Sequence, residues 1–127
     1  SCGRDQFNLD WLQGLLIDDE EPVDVQATLA VLTAASIADA IDRWCSRPDE
    51  LLVCGGGAHN ATIMAGLAAR LPGAMGDKTD AAGVPADWVE ALAYAWLGKQ
   101  TLDGRPGNLP EVTGACGLRV LGAVYPA

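Results

Sequence analysis

The sequence predicts an α/β fold in which long helices pack on a small central sheet, and three observations predict it. Val25, Leu29, Leu32, Ser36, Ile37, Ala40, Ile41 and Trp44 recur at i, i+3/i+4 spacing, the period of a helix with one buried face. Glu50 to Cys54 is a short, nearly continuous apolar run of the kind that forms a strand covered on both sides. That run empties into Gly55-Gly56-Gly57 and a helix start. Helix and strand signals then keep alternating along the chain, which is the signature of layered α/β architecture.

Taken in order, Ser1 to Glu21 reads as a loop followed by a short amphipathic turn carrying Phe7, Leu9, Trp11, Leu12, Leu15 and Leu16. The acidic cluster at 18–21 and Pro22 mark a boundary, after which Asp24 is placed to cap the long helix that runs to about Trp44. Ala27, Ala30, Ala34, Ala35 and Ala38 fill much of its remainder and permit close approach of a neighbour. Arg47-Pro48-Asp49 ends this unit before the central strand. Asn60 is placed to cap the next helix, Ala61 to Leu71, which stops at Pro72-Gly73. Ala74 to Asp80 is open between strand and loop. Pro85 suits the first turn of a third helix, with Ala86, Val89, Leu92, Ala93, Trp96 and Leu97 as its core-facing stripe. A turn-rich loop at 104–110 precedes a last strand at Val120 to Tyr125.

With 127 residues and 50% hydrophobic content the chain reads as a single domain, 1–127, able to bury roughly two-thirds of its unfolded surface. Cys2, Cys45, Cys54 and Cys116 form no Cys-x-x-Cys pair and read as reduced thiols rather than a disulfide framework. No zinc set is expected, since His59 has only Cys54 near it. The net charge of −9, from 17 acidic and 8 scattered basic residues, offers no cationic stripe for nucleic acid. The reading also finds no apolar stretch near the roughly 20 residues of a membrane span and no leader, which makes the cytoplasm the default location. The start at Ser1 rather than Met points to a processed or truncated chain.

The glycine turn is the strongest chemical feature. Glycine reaches positive φ and lets backbone approach a ligand, and a helix start directs unpaired amides at an anion. A tight connection in an α/β fold uses the same pattern, so the turn by itself leaves both readings open.

Read with its neighbours, the chain closely resembles the C-terminal part of the anhydro-N-acetylmuramic acid kinase family, in the actin/hexokinase/Hsp70-like ATPase superfamily. The resemblance rests on the segments 3–12, Asp24-Val25-Gln26-Ala27-Thr28-Leu29, Cys54 to Asn60, Thr79-Asp80, and Glu90 to Ala95. It continues through Gly107-Asn108-Leu109-Pro110, Val112 to Ala115 and Val120 to Pro126. It implies a ribonuclease H-like lobe fragment of a two-lobed kinase that uses ATP and Mg2+. The implied reaction hydrolyses the anhydro bond of 1,6-anhydro-N-acetylmuramic acid and phosphorylates O6, giving the 6-phosphate used in cell-wall recycling. It further implies that Gly55, Gly56, Gly57 and Asn60 lie beside the nucleotide and that Glu90 meets sugar hydroxyls. An acidic residue in the first turn of a helix also interacts favourably with the helix dipole, which is the plainer use of Glu90.

No catalytic residue is assigned. The phosphate loop and catalytic aspartate of the family have no counterpart in this sequence, and the chain alone is expected to be inactive. A stand-alone nucleotide-binding or interaction module is the alternative. His59 reads as a solvent-facing rim residue, Asp80 and Thr79 as caps or cleft residues, and Arg4 as a surface pairing or sugar contact. The four tryptophans read as packing rather than ring-stacking residues, with Trp88 the exception, since Val89 and Leu92 already take the core-facing side. Glu111 and the stretch Gly76-Asp77-Lys78 depart from the family pattern, and a homodimer is implied by the family.

Overall fold

A computed structural model of the chain describes residues 3, 5–17, 19–45, 48–74 and 77–126. The expectations for Cys2, Arg4 and Gly76 fall outside them. The chain divides into two compact units. One comprises Ser1–Arg47 with Ala61–Pro72, the other Pro48–Asn60 with Gly73–Ala127.

The first unit is built of three helices, α1 (Leu9–Gln13), α2 (Pro22–Trp44) and α3 (Ala61–Arg70). Asn8 starts α1 by accepting the Trp11 N–H on Oδ1 at 2.9 Å, and Phe7 meets the Trp11 ring edge-on at 5.1 Å between centroids. α2 begins earlier than expected. Pro22 occupies its first turn after Glu21, and Asp24 lies inside the helix rather than capping it, because the fixed φ of proline already starts a helix.

The buried face of α2 is also not the expected one. Ala34 and Ala38 are its buried residues, whereas Leu32, Ile37 and Trp44 are exposed. The reason is backbone proximity. Gly66 of α3 stands against Ala34, so close that a Cβ built on Gly66 would lie 2.8 Å from the Ala34 Cβ. The small-residue stripe wins because it lets α2 and α3 touch, and Leu67 and Leu71 complete the buried set on the α3 side. α2 corrects a further expectation. By length and composition it is long and apolar enough to cross a membrane, since its alanines add apolar length between the larger residues.

The second unit contains α4 (Val89–Leu102), α5 (Pro110–Thr113) and three short 3-10 turns at Gly56–His59, Thr79–Ala82 and Ala86–Trp88. The expected α/β layering is not seen: among the described residues the structure is mostly helical. The segment Leu51 to Cys54 is extended, but its sheet pairing is a single parallel bridge between Val53 and Lys78. In that bridge the Val53 N–H donates to Asp77 O at 3.0 Å and Thr79 N–H donates to Val53 O at 3.1 Å. Val120 to Tyr125, the expected last strand, is irregular. A strand exists only with a neighbour to complete its ladder. This segment is instead tied down by other means: Gly107 N–H donates to Arg119 O at 3.0 Å, and the Thr101 hydroxyl donates to Leu121 O. Asn108 adds a two-way clasp, donating from Nδ2 to Gly117 O at 3.0 Å and accepting the Arg119 N–H at 2.6 Å.

Among the described residues of the second unit, Ala58, Ala74 and Ala86 are the buried ones. Of the stripe expected on α4, Leu92, Ala93 and Trp96 are exposed, and Val89 and Leu97 are half-buried. Trp44 and Trp96, expected to pack, are exposed, as is Trp88.

Candidate functional site

The glycine turn lies in the second unit. Its position is set by the Val53 bridge on one side and by a single backbone bond on the other, in which the Gly55 N–H donates to Ala86 O at 2.9 Å. Gly55 has φ 74, the left-handed region that side chains disfavour, so glycine is required there for the chain to turn out of its extended run. Gly56 to His59 then form one 3-10 turn, in which Ala58 N–H donates to Gly55 O at 3.0 Å and Asn60 N–H to Gly57 O at 3.1 Å.

These bonds decide which amides are available. Gly55, Ala58 and Asn60 use theirs within the chain. The N–H groups of Gly56 and Gly57 have no hydrogen-bond partner among the described residues, as expected of the first residues of a helical turn. Both glycines are exposed, and a Cβ built on either would meet no atom within 4 Å. Two unpaired amides thus belong to exposed residues that carry no side chain. Asn60 is exposed at the end of the turn, immediately before α3 in the chain.

The turn Gly56–His59 packs against the turn Ala86–Trp88, which runs directly into α4. Glu90 is exposed in the first turn of α4, where its charge complements the helix dipole. Asp80 Oδ2 accepts the Ala86 N–H at 3.1 Å, at the start of the turn Ala86–Trp88. Thr79 Oγ1 is buried without a hydrogen-bond partner among the described residues. Trp88 is 65% exposed beside this region.

His59 is exposed, as the sequence indicates, yet it is not idle. Its Nε2 lies 2.9 Å from Asp87 Oδ1 and its Nδ1 lies 3.4 Å from Lys78 Nζ. Neither Lys78 nor Asp87 emerged from the sequence as a neighbour of the glycine turn. The missing signal was the parallel bridge, which brings residue 78 opposite residue 53. Among the described residues no group of three His, Cys, Asp or Glu side chains clusters to hold a metal ion.

The sequence profile described as AnmK, Anhydro-N-acetylmuramic acid kinase, matches residues 1–127. The chain belongs to this family. It is similar to an anhydro-N-acetylmuramic acid kinase of Nitrosomonas europaea, with 53% identity over 127 residues that cover all of this chain and 35% of the relative. The corresponding kinase of Nitrosospira multiformis is 52% identical over 127 residues, again all of this chain and 35% of the relative. That of Xylella fastidiosa is 52% identical over 128 residues, covering all of this chain and 34% of the relative. The chain thus spans about a third of the length of the anhydro-N-acetylmuramic acid kinases that it matches.

Proposed function

We propose that this chain is the C-terminal third of a cytoplasmic, two-lobed kinase that acts on 1,6-anhydro-N-acetylmuramic acid with ATP and Mg2+. In the reaction, water adds at C1, the C1–O6 bond breaks, and O6 takes the γ-phosphoryl group as ADP leaves. The product is N-acetylmuramic acid 6-phosphate. The observation that carries this reading is the pair of open amides at Gly56 and Gly57, on a turn free of side chains, in a chain matched end to end by the kinase family.

The turn fits a phosphate because two N–H groups and a close backbone approach are what an anionic oxygen needs. ATP supplies the phosphoryl group, and Mg2+ arrives with its phosphates. This chain's residues bind and align: Gly55 sets the turn, Gly56 and Gly57 donate, Asn60 lies at the nucleotide side and Glu90 at the sugar side. Phosphoryl transfer depends on alignment and charge stabilisation, so such a lobe contributes without supplying a base. The phosphate loop and the catalytic aspartate belong to the remaining two-thirds.

The same remainder would complete the α/β lobe, giving Leu51–Cys54 and Val120–Tyr125 their partner strands and covering the apolar faces of α2 and α4. The exposed large apolar side chains of α4 and of the C-terminal segment, Leu92, Tyr94, Trp96, Val124 and Tyr125 among them, favour this over a stand-alone module. The test is transfer of labelled γ-phosphate from ATP to the anhydro sugar. The intact protein transfers it and this chain alone does not. An intact coding sequence with the phosphate loop upstream supports the C-terminal placement; the loop encoded downstream overturns the placement, and an intact protein that transfers nothing overturns the kinase reading.

A further inference from the structure

We propose that Lys78 is a phosphate-contacting side chain of the glycine turn and that His59 and Asp87 position it, an inference that rests on the nucleotide reading above. The Val53 bridge sets Lys78 opposite a residue two places before Gly55. His59 closes the 3-10 turn that Gly56 opens, and in such a turn residues three apart eclipse, so the imidazole rises from the same side as Gly56. The Lys78 ammonium reaches that imidazole at 3.4 Å.

The chemistry of the contacts fixes their direction. An ammonium only donates, so His59 Nδ1 accepts from Lys78 Nζ and the ring proton resides on Nε2, which donates to Asp87 Oδ1 at 2.9 Å. Asp87 thereby orients the ring, and the ring orients the lysine. The imidazole also stands between carboxylate and ammonium. Lys78 makes no ion pair among the described residues, so its charge is not consumed by a direct carboxylate partner. The neighbouring Asp77 carboxylate accepts the Lys78 backbone N–H at 2.7 Å. One of the three ammonium protons goes to His59, leaving two for an oxyanion.

Exposed side-chain pairs of this kind contribute little to stability, and His59 and Asp87 are 52% and 63% exposed. A network with so little structural effect leaves the Lys78 ammonium free to serve a ligand. A charge-assisted bond is roughly twice as strong as a neutral one, so Lys78 would dominate the two amides in holding the phosphate.

The experiment uses the intact kinase and compares Lys78→Met, Lys78→Arg and His59→Ala. Lys78→Met raises KM for Mg·ATP about tenfold, the effect of one charge-assisted hydrogen bond, and leaves adenosine affinity unchanged. Lys78→Arg recovers most of the loss. His59→Ala gives a smaller rise that disappears when Lys78 is already Met, the mark of positioning through the lysine. An unchanged KM in Lys78→Met, in an enzyme that still binds Mg·ATP, overturns the role of Lys78 and leaves the kinase reading intact. Equal and additive effects of the His59 variant overturn the positioning. A wild-type enzyme that binds no Mg·ATP overturns both readings together.

Discussion

Gly66→Ala provides the sharpest test of how α2 and α3 pack. A Cβ at 66 would stand 2.8 Å from the Ala34 Cβ, about 1 Å inside ordinary carbon contact, and the obstructing atom is fixed to the α2 backbone rather than carried on a flexible side chain. The helices must separate, and overpacking of this kind costs about 1–3 kcal/mol. Against it stands the gain of about 1 kcal/mol from replacing glycine by alanine within a helix. The net expectation is destabilisation by about 0–2 kcal/mol, and more for Gly66→Val, which adds bulk without the full propensity gain. The decisive comparison is the background. With Ala34→Gly already in place the clash is gone, and Gly66→Ala becomes stabilising by about 1 kcal/mol. Urea unfolding followed by circular dichroism over the four-member cycle measures this reversal of sign. Equal effects of Gly66→Ala in both backgrounds would refute the close contact.

Further consequences can be measured at the glycine turn and elsewhere. Gly55→Ala forces a side chain to φ 74 and should cost about 1–2 kcal/mol in the same unfolding assay. Gly57→Ala has open space around it and should leave stability within about 0.5 kcal/mol while raising KM for Mg·ATP in the intact enzyme. Asn108→Ala breaks both arms of the clasp on residues 117 and 119 and should cost about 1–3 kcal/mol, with faster amide exchange at Arg119 as the local readout. The isolated chain should self-associate through its exposed apolar residues, seen by sedimentation, whereas covalent continuity with the remaining two-thirds should suppress it.

Much of the helical framework is legible from the residues, because proline, glycine and apolar period act locally. The long helix ends at Trp44, α3 starts at Ala61, and Pro85 stands just before the turn leading into α4. Gly55 adopts the positive φ that its place in the sequence calls for. The choice of buried face was less legible. Periodicity assigns the core to Val25, Leu29, Leu32 and Ile37, but contact with Gly66 favours Ala34 and Ala38, a preference that depends on the partner helix. The strands were legible as apolar runs and not as sheet, since pairing depends on a neighbour that Leu51–Cys54 meets only at Lys78 and Val120–Tyr125 does not meet among the described residues. The exposure of Trp88 and Trp96 has the same origin. Their apolar character is legible in the sequence, but among the described residues no surface covers it. Lys78 and Asp87 are not legible as neighbours of His59, because only the backbone bridge and the turn at 86–88 bring them to it.

The central claim concerns two peptide groups, and nitrogen-resolved NMR of the intact kinase addresses them directly. On titration with Mg·ADP, the amide resonances of Gly56 and Gly57 should shift downfield as their protons meet a phosphate oxygen, and adenosine should leave them in place. Saturable nucleotide binding with both resonances unmoved would contradict the account.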